Sequence, residues 1–103
     1  VSDEYGPTIT EFTRDGVAIR SIAVPPIFAI AKPSADAEAE ITANAAGRVA
    51  NRGFEGLAIS PDGSTLTALL QSPLIQDGGR KGLNCRVLQI DLASGTSRQL
   101  VYP

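Results

Sequence analysis

Three carboxylates in this chain stand where they could bind a metal ion or a substrate. Glu55 lies between Gly53 and Gly56, and glycines let other backbone segments approach closely. A carboxylate in such a place is either a metal or substrate ligand, or an acceptor for neighbouring backbone N–H groups. Asp3 and Glu4 form an acidic pair near the first residue. These three carboxylates are the candidate metal ligands.

Further polar residues flank the same stretch of sequence. Arg52 precedes Glu55, and its forked donors could bind a phosphate or carboxylate group, or simply pair with Glu55 or Glu4. Gln71 and Ser72 follow an apolar run, where they either contact a ligand or support a loop by hydrogen bonds. Ser72 is a poor candidate nucleophile because no base accompanies it. We therefore predict Arg52 and Gln71 as ligand-binding residues and assign no catalytic residue.

The residue types exclude several chemistries within this segment. The sequence has no histidine and one cysteine, Cys85. A serine–histidine triad, a thiolate–imidazole pair and a zinc site of the usual His/Cys type are therefore excluded. A metal here would be a hard cation on oxygen ligands, such as calcium. Because Cys85 precedes an apolar strand, we predict that it is a small core residue.

Three β-hairpins are predicted around the candidate residues. In the central hairpin, apolar runs at 57–60 and 65–71 flank the turn Ser60-Pro61-Asp62-Gly63. The proline presets φ, and the glycine accepts the positive φ that ends such a turn. Apolar residues alternate along the strands, and no segment shows a sustained helical spacing. The other two hairpins cover 9–22 and 87–102.

The order of the hairpins is typical of a β-propeller, whose blades have four antiparallel strands. A blade takes roughly 40–50 residues and a closed ring about four blades or more, so this chain supplies about one and a half blades. The predicted fold class is all-β, an antiparallel β-propeller fragment. Its parts are the outer part of one blade (1–24), an inter-blade connection (25–53) and a four-stranded blade (54–103). The connection is predicted to hold a short helix from Ala35 to Ala43, with Ser34 as its N-cap. Strands are predicted near 8–12, 17–23, 56–60, 65–71, 86–92 and 97–101.

The topology of such a blade predicts where the polar residues meet. Tight hairpin turns lie at one end of the strands and longer connections at the other, and functional groups usually gather at the long-loop end near the central channel. Asp3 and Glu4 either line this channel mouth or form a solvated strand end. Glu55 is best placed because it enters the innermost strand. The residues expected at this end are Asp3, Glu4, Arg52, Glu55, Gln71 and Ser72.

Four stretches carry a family resemblance: Val1–Pro7, Asn51–Leu57, Ser60–Gly63 and Leu70–Pro73. With them the chain resembles the bacterial family called esterase-like activity of phytase, over nearly its whole length. The Asp-Glu-Tyr-Gly and Gly-Phe-Glu-Gly pieces are the specific parts of this likeness. The resemblance implies a phytase-like β-propeller that is exported, to the periplasm or outside the cell, with phosphoesterase or esterase activity.

Charge and hydropathy restrict the partners. The net charge of −2 disfavours a nucleic-acid partner. No apolar run approaches the roughly 18 residues of a membrane span. An incomplete propeller exposes sheet edges, so self-association through these edges is also expected.

Two function classes remain open. In the first, carboxylates including Glu4 and Glu55 hold calcium, and Arg52 binds the charge of a small-molecule phosphate ester or other ester that is hydrolysed. In the second, the propeller is a binding module whose channel residues recognise a ligand or protein partner without turnover.

Overall fold

The computed structural model describes residues 1–103 and contains six β-strands and one α-helix. All six strands begin and end within two residues of the predicted positions. The helix, α1, covers Ala37–Ala43, and three short 3-10 helices cover Pro26–Phe28, Ile75–Asp77 and Gly79–Lys81. The strands are β1 (Ile9–Phe12), β2 (Ala18–Ile22), β3 (Phe54–Ile59), β4 (Thr65–Leu70), β5 (Cys85–Asp91) and β6 (Ser97–Tyr102).

The strands form two antiparallel sheets. β1 pairs with β2, and the other four strands form one sheet in the order β3-β4-β5-β6. This arrangement confirms the all-β antiparallel class. The division of the chain into blades and a connection stays a prediction.

The four-stranded sheet has two different ends. The β3–β4 and β5–β6 turns lie at one end, where Gly63 (φ 73°) and Gly95 (φ 72°) take the positive φ that the turn sequences predict. We call this the tight-turn end. The start of β3 and the end of β4 lie at the opposite end, together with the connections that meet there. We call this the open end.

The two sheets share one apolar core. Ile9 of the small sheet belongs to the same buried cluster as Leu66, Leu88 and Ile90 of the large sheet. These large-sheet residues alternate along β4 and β5, which gives the sheet one buried apolar face. Phe28 reaches the cluster from the connection, and its ring centroid lies 5.2 Å from that of Phe54. The segment between β2 and β3 therefore packs against the sheet through Phe28.

The helix start differs by two residues from the prediction. Ser34 was expected to cap it, but α1 begins at Ala37 and Asp36 is its N-cap. The Asp36 backbone is extended, so its carboxylate reaches the Ala39 N–H at 2.8 Å. The Ser34 hydroxyl instead accepts a hydrogen bond from the Asp36 N–H at 3.1 Å.

Strands β3 and β6 are the two edges of the large sheet. Apolar side chains on both are partly exposed, among them Ile59 (59%) and Val101 (68%). Open edges of this kind are templates for pairing with another strand, and self-association through them stays a prediction. The one α-helix is seven residues long, and no helix is long and apolar enough to cross a membrane.

Candidate functional site

A chain of backbone hydrogen bonds joins two of the predicted positions, Glu4 and Gln71, through Gly53 at the open end. The Gly53 N–H donates to the Glu4 carbonyl at 2.9 Å, and the Gln71 N–H donates to the Gly53 carbonyl at 3.0 Å. A Cβ on Gly53 would lie 2.4 Å from the Glu4 carbonyl oxygen, so only glycine fits at this crossing. The first residues of the chain, the start of β3 and the end of β4 therefore meet here.

Glu55 occupies a β-bulge at the start of β3. Phe54 pairs with Leu70 and Gly56 pairs with Leu69, so Glu55 is the extra residue between two successive pairs. Bulges re-aim a side chain and are common beside active sites. The Glu55 side chain is exposed and takes part in no ion pair or hydrogen bond of this chain. The alternative role, as an acceptor for neighbouring backbone N–H groups, is not seen.

Asp3 and Glu4 lie in a short N-terminal hairpin and are half-buried. Ser2 forms an antiparallel bridge with Ile9, and one Asp3 carboxylate oxygen accepts a hydrogen bond from the Tyr5 N–H at 2.8 Å. That bond supports the local turn and leaves the second Asp3 oxygen without a protein partner. Glu4 contributes its carbonyl to the crossing at Gly53, and its carboxylate forms no ion pair.

Arg52 follows a tight turn that leads into β3. Its N–H donates to the Val49 carbonyl at 2.9 Å, and Asn51 takes the left-handed conformation (φ 54°) that the turn requires. The Arg52 side chain is half-buried and forms no ion pair, so the alternative in which it pairs with Glu4 or Glu55 is not seen. Its donors are available to an anionic ligand.

The two polar residues after β4 differ from each other. Gln71 is exposed, and its side chain has no hydrogen-bond partner in the chain. Ser72 is buried, and its hydroxyl donates to the Pro73 carbonyl at 3.2 Å. Gln71 can therefore contact a ligand, whereas Ser72 supports the loop.

A buried ion pair beneath the open end was missed by the sequence reasoning. Glu40 and Arg48 are joined at 2.5 Å, and both side chains are only 4% exposed. The Arg48 Nε–H also donates to the Tyr5 carbonyl, and Glu40 accepts from the Ser34 N–H at 2.9 Å. The hydrogen bond from Arg48 holds the pKa of Glu40 below its ordinary value. The pair thus joins α1 and the connection to the residues beside Glu4.

A second ion pair that the sequence did not reveal joins the β4–β5 connection to β5. The Arg86 guanidinium donates two hydrogen bonds, of 2.6 and 2.8 Å, to the Asp77 carboxylate and a third, of 2.8 Å, to the Gln99 side chain. The hydrogen bonds between Arg86 and Asp77 lower the pKa of Asp77 and raise the pKa of Arg86. A cleft of about 560 Å³ opens beside the pair. Because the Arg86 donors already have partners within the chain, the main role of the ion pair is to hold the β4–β5 connection against β5.

The acidic residues were tested as ligands for the expected calcium ion. No group of three or more His, Cys, Asp or Glu side chains in this chain could hold a metal ion. Calcium takes six to eight oxygen ligands, so Asp3, Glu4 and Glu55 do not form a complete coordination shell by themselves.

Cys85 is half-buried at the start of β5, and burial raises the pKa of its thiol, which disfavours the thiolate.

Three of the four stretches that carry the family resemblance lie at the open end, whereas Ser60–Gly63 forms a turn at the tight-turn end. The model for the phytase-like family, described as "esterase-like activity of phytase", matches residues 1–103. The chain belongs to this family. An "uncharacterized secreted protein" of Arthroderma benhamiae is 37% identical over 114 residues, which is 95% of this chain and 22% of that protein. The chain thus spans about a fifth of this relative. No solved structure matches the chain.

Proposed function

We propose that the open end of the sheet is the ligand-binding part of an exported enzyme that hydrolyses a phosphate ester or another ester of a small molecule. The observation that carries this proposal is the Glu55 bulge, which presents an exposed carboxylate without a protein partner. Arg52 and Gln71, which also lack side-chain partners, approach from neighbouring positions at the same end. Membership of the phytase-like family supports an ester as the substrate class.

Each open-end residue has a distinct proposed role. The Arg52 guanidinium binds a phosphate or carboxylate group of the ligand by two parallel hydrogen bonds. The Gln71 amide donates to a neutral or anionic oxygen. One or two of the carboxylates Glu55, Glu4 and Asp3 would supply oxygen ligands to calcium, because the three do not form one metal-binding group in this chain, and the remaining ligands would come from elsewhere. Calcium would supply charge stabilisation at a phosphoryl oxygen when bound.

We further propose that the two sheets are parts of a β-propeller. Their shared core and the uncovered edge strands β3 and β6 support this, because a propeller stacks such sheets around a channel. The chain spans 22% of its Arthroderma benhamiae relative, which leaves room for more blades in a protein of that length. The name of that relative supports export from the cell.

The second candidate is a propeller that binds a ligand without turnover. Two observations favour it: the chain has no histidine, and Ser72 is buried and bonded to a backbone carbonyl. No serine–histidine or cysteine–histidine pair is therefore present in residues 1–103. The same Arg52 and Glu55 would then recognise the charges of a ligand or protein partner.

The experiment that separates the candidates measures hydrolysis of p-nitrophenyl phosphate and p-nitrophenyl acetate by the protein, in calcium and after chelation. The enzyme proposal expects turnover that falls on chelation and returns with calcium. Saturable binding of the phosphate ester without turnover supports the binding module. Turnover unaffected by chelation contradicts the calcium role, and neither binding nor turnover contradicts both candidates.

A further inference from the structure

A cleft between α1 and the β4–β5 connection combines an apolar floor with a cationic rim. Its volume is about 370 Å³, within the range of small-molecule sites. Ile41, Val49 and Ile75 line the floor, and Arg80 and Lys81 stand on the rim. None of these residues is one of the open-end candidates Arg52, Glu55 and Gln71.

The loop that carries the two cations is held in place by its backbone. Hydrogen bonds from Gly79 to the Leu74 carbonyl (2.9 Å) and from Gly82 to the Gly79 carbonyl (3.0 Å) close it on itself. A further bond, from the Ile75 N–H to the Gly47 carbonyl at 2.9 Å, ties it to the connection. Arg80 and Lys81 therefore project from a fixed support, which reduces the entropy lost when a ligand binds.

Glu38 places a carboxylate beside Arg80 in this cleft. Its carboxylate, on α1, spans the cleft to Arg80 at 2.6 Å. The two side chains are 74% and 44% exposed, so this pair contributes little to stability and is easily displaced. Lys81 forms no ion pair. An incoming anion could therefore replace the Glu38 carboxylate and gain a second cation.

We propose that this cleft binds a phosphate group attached to a short apolar body. The dianionic head takes the place of the Glu38 carboxylate between Arg80 and Lys81, and the apolar body lies on the aliphatic floor. Two adjacent cations favour a dianion over a carboxylate monoanion. The site goes beyond the proposed function, because it requires no turnover and no open-end residue.

The test is a calorimetric titration of the protein with phenylphosphonate. Phosphoesterases do not cleave the carbon–phosphorus bond of this compound. We expect saturable binding of phenylphosphonate. Methylphosphonate lacks the apolar body and phenylacetate lacks the phosphonate group, so each should bind at least about threefold more weakly. Absence of saturable phenylphosphonate binding overturns the proposal. Equal affinity for methylphosphonate overturns the role of the apolar floor, and equal affinity for phenylacetate overturns the preference for phosphate.

Two kinds of substitution test the proposal, and they are expected to change the affinity for phenylphosphonate in opposite directions. Arg80→Gln together with Lys81→Gln should weaken phenylphosphonate binding about tenfold or more, whereas Arg14→Gln, at an exposed turn, should not. Glu38→Gln should tighten binding about threefold, because it removes the competing carboxylate. Glu11→Gln, in the comparable exposed pair with Arg20, is the matched control. Unchanged or weaker binding in Glu38→Gln would overturn the proposal, whatever the activity at the open end.

Discussion

Carboxylates lie at both ends of the four-stranded sheet, and their surroundings differ. At the tight-turn end, Asp62 accepts hydrogen bonds from the Ser60 hydroxyl (2.6 Å) and from the Ser64 N–H (3.0 Å) and hydroxyl (2.8 Å). Asp91 accepts three bonds in the same way from Ala93 and Ser94. At the open end, the Glu55 carboxylate has no such partner.

This difference separates structural carboxylates from available ones. The hydrogen bond from the Ser60 hydroxyl, with those from Ser64, lowers the pKa of Asp62 to about 2. All of these partners lie within two residues of Asp62, so the turn sequence alone provides them. The open end is held instead by contacts between distant parts of the chain, such as Arg48 with Tyr5. Carboxylates therefore support the turns at the tight-turn end, whereas the Glu55 carboxylate at the open end remains available to a ligand.

The largest expected effect comes from breaking the buried ion pair beneath the open end. Glu40→Gln leaves the Arg48 guanidinium buried without its counter-charge, and we expect a loss of about 3–5 kcal/mol in the free energy of unfolding. Urea denaturation of the protein measures this loss.

The matched control for Glu40→Gln lies on the same helix. Glu38 is paired with Arg80 at the surface, and Glu38→Gln should cost less than about 1 kcal/mol. A similar cost for both variants would contradict the view that the buried pair holds the open end.

The next effect concerns the crossing at Gly53. Gly53→Ala places a methyl group 2.4 Å from the Glu4 carbonyl oxygen, and backbone atoms cannot move aside as a flexible side chain can. We expect a loss of about 3 kcal/mol in the free energy of unfolding. In the control Gly56→Ala, the nearest atom is the Leu69 Cβ at 3.1 Å, so the loss should be smaller. Equal losses would show that the Gly53 crossing is not tight.

Most of the sheet could be predicted because its signals are local. The alternating apolar residues of β4 and the Ser60–Gly63 turn determine the strand positions without help from distant residues. The start of β3 was placed two residues late, at 56 instead of Phe54. The cause is the bulge at Glu55, which lets Phe54 rejoin the ladder opposite Leu70.

The candidate site could be predicted only in part. Glu4 and Gln71 lie at one end as expected, joined through Gly53, since the antiparallel topology brings their segments there. The contact between Arg48 and Tyr5 spans 43 residues, and no periodicity or turn signal pairs the two residues, so no sequence pattern indicates it. The buried Asn44 amide, which bonds to Lys32 across 12 residues, is hidden for the same reason.

A smaller effect is expected at the tight-turn end, and it depends on pH. The folded-state pKa of Asp62 is depressed from 3.8 to about 2, so its stabilising contribution is present above pH 3.8 and is lost as the pH falls through about 2. Asp62→Asn should lower the melting temperature near neutral pH, and the difference from wild type should narrow in that acidic window.

The control for Asp62→Asn is Asp15→Asn, which removes an exposed carboxylate from the β1–β2 turn. Melting temperatures measured from neutral pH to pH 2 provide the comparison. A difference between Asp62→Asn and wild type that stays constant with pH would mean that the charge of Asp62 does not support the turn.

The smallest effect on stability is expected at Glu55, where the effect on function should be large. Glu55→Gln removes the charge of an exposed side chain that has no partner, so the free energy of unfolding should change by less than about 0.5 kcal/mol. If Glu55 is a ligand, calcium affinity or turnover should fall at least tenfold, about 1.4 kcal/mol. Calcium titration and steady-state kinetics of the folded variant measure the two quantities.

Asp62→Asn is the matched control for this substitution, because it removes a carboxylate from the opposite end of the same sheet. Calcium affinity and activity per folded molecule should be unchanged in Asp62→Asn, since its carboxylate is occupied by the turn. An equal loss of calcium affinity or activity in both variants would contradict the distinction between the two ends. If Glu55→Gln lowers only the melting temperature, Glu55 is structural and Glu4 becomes the next candidate ligand.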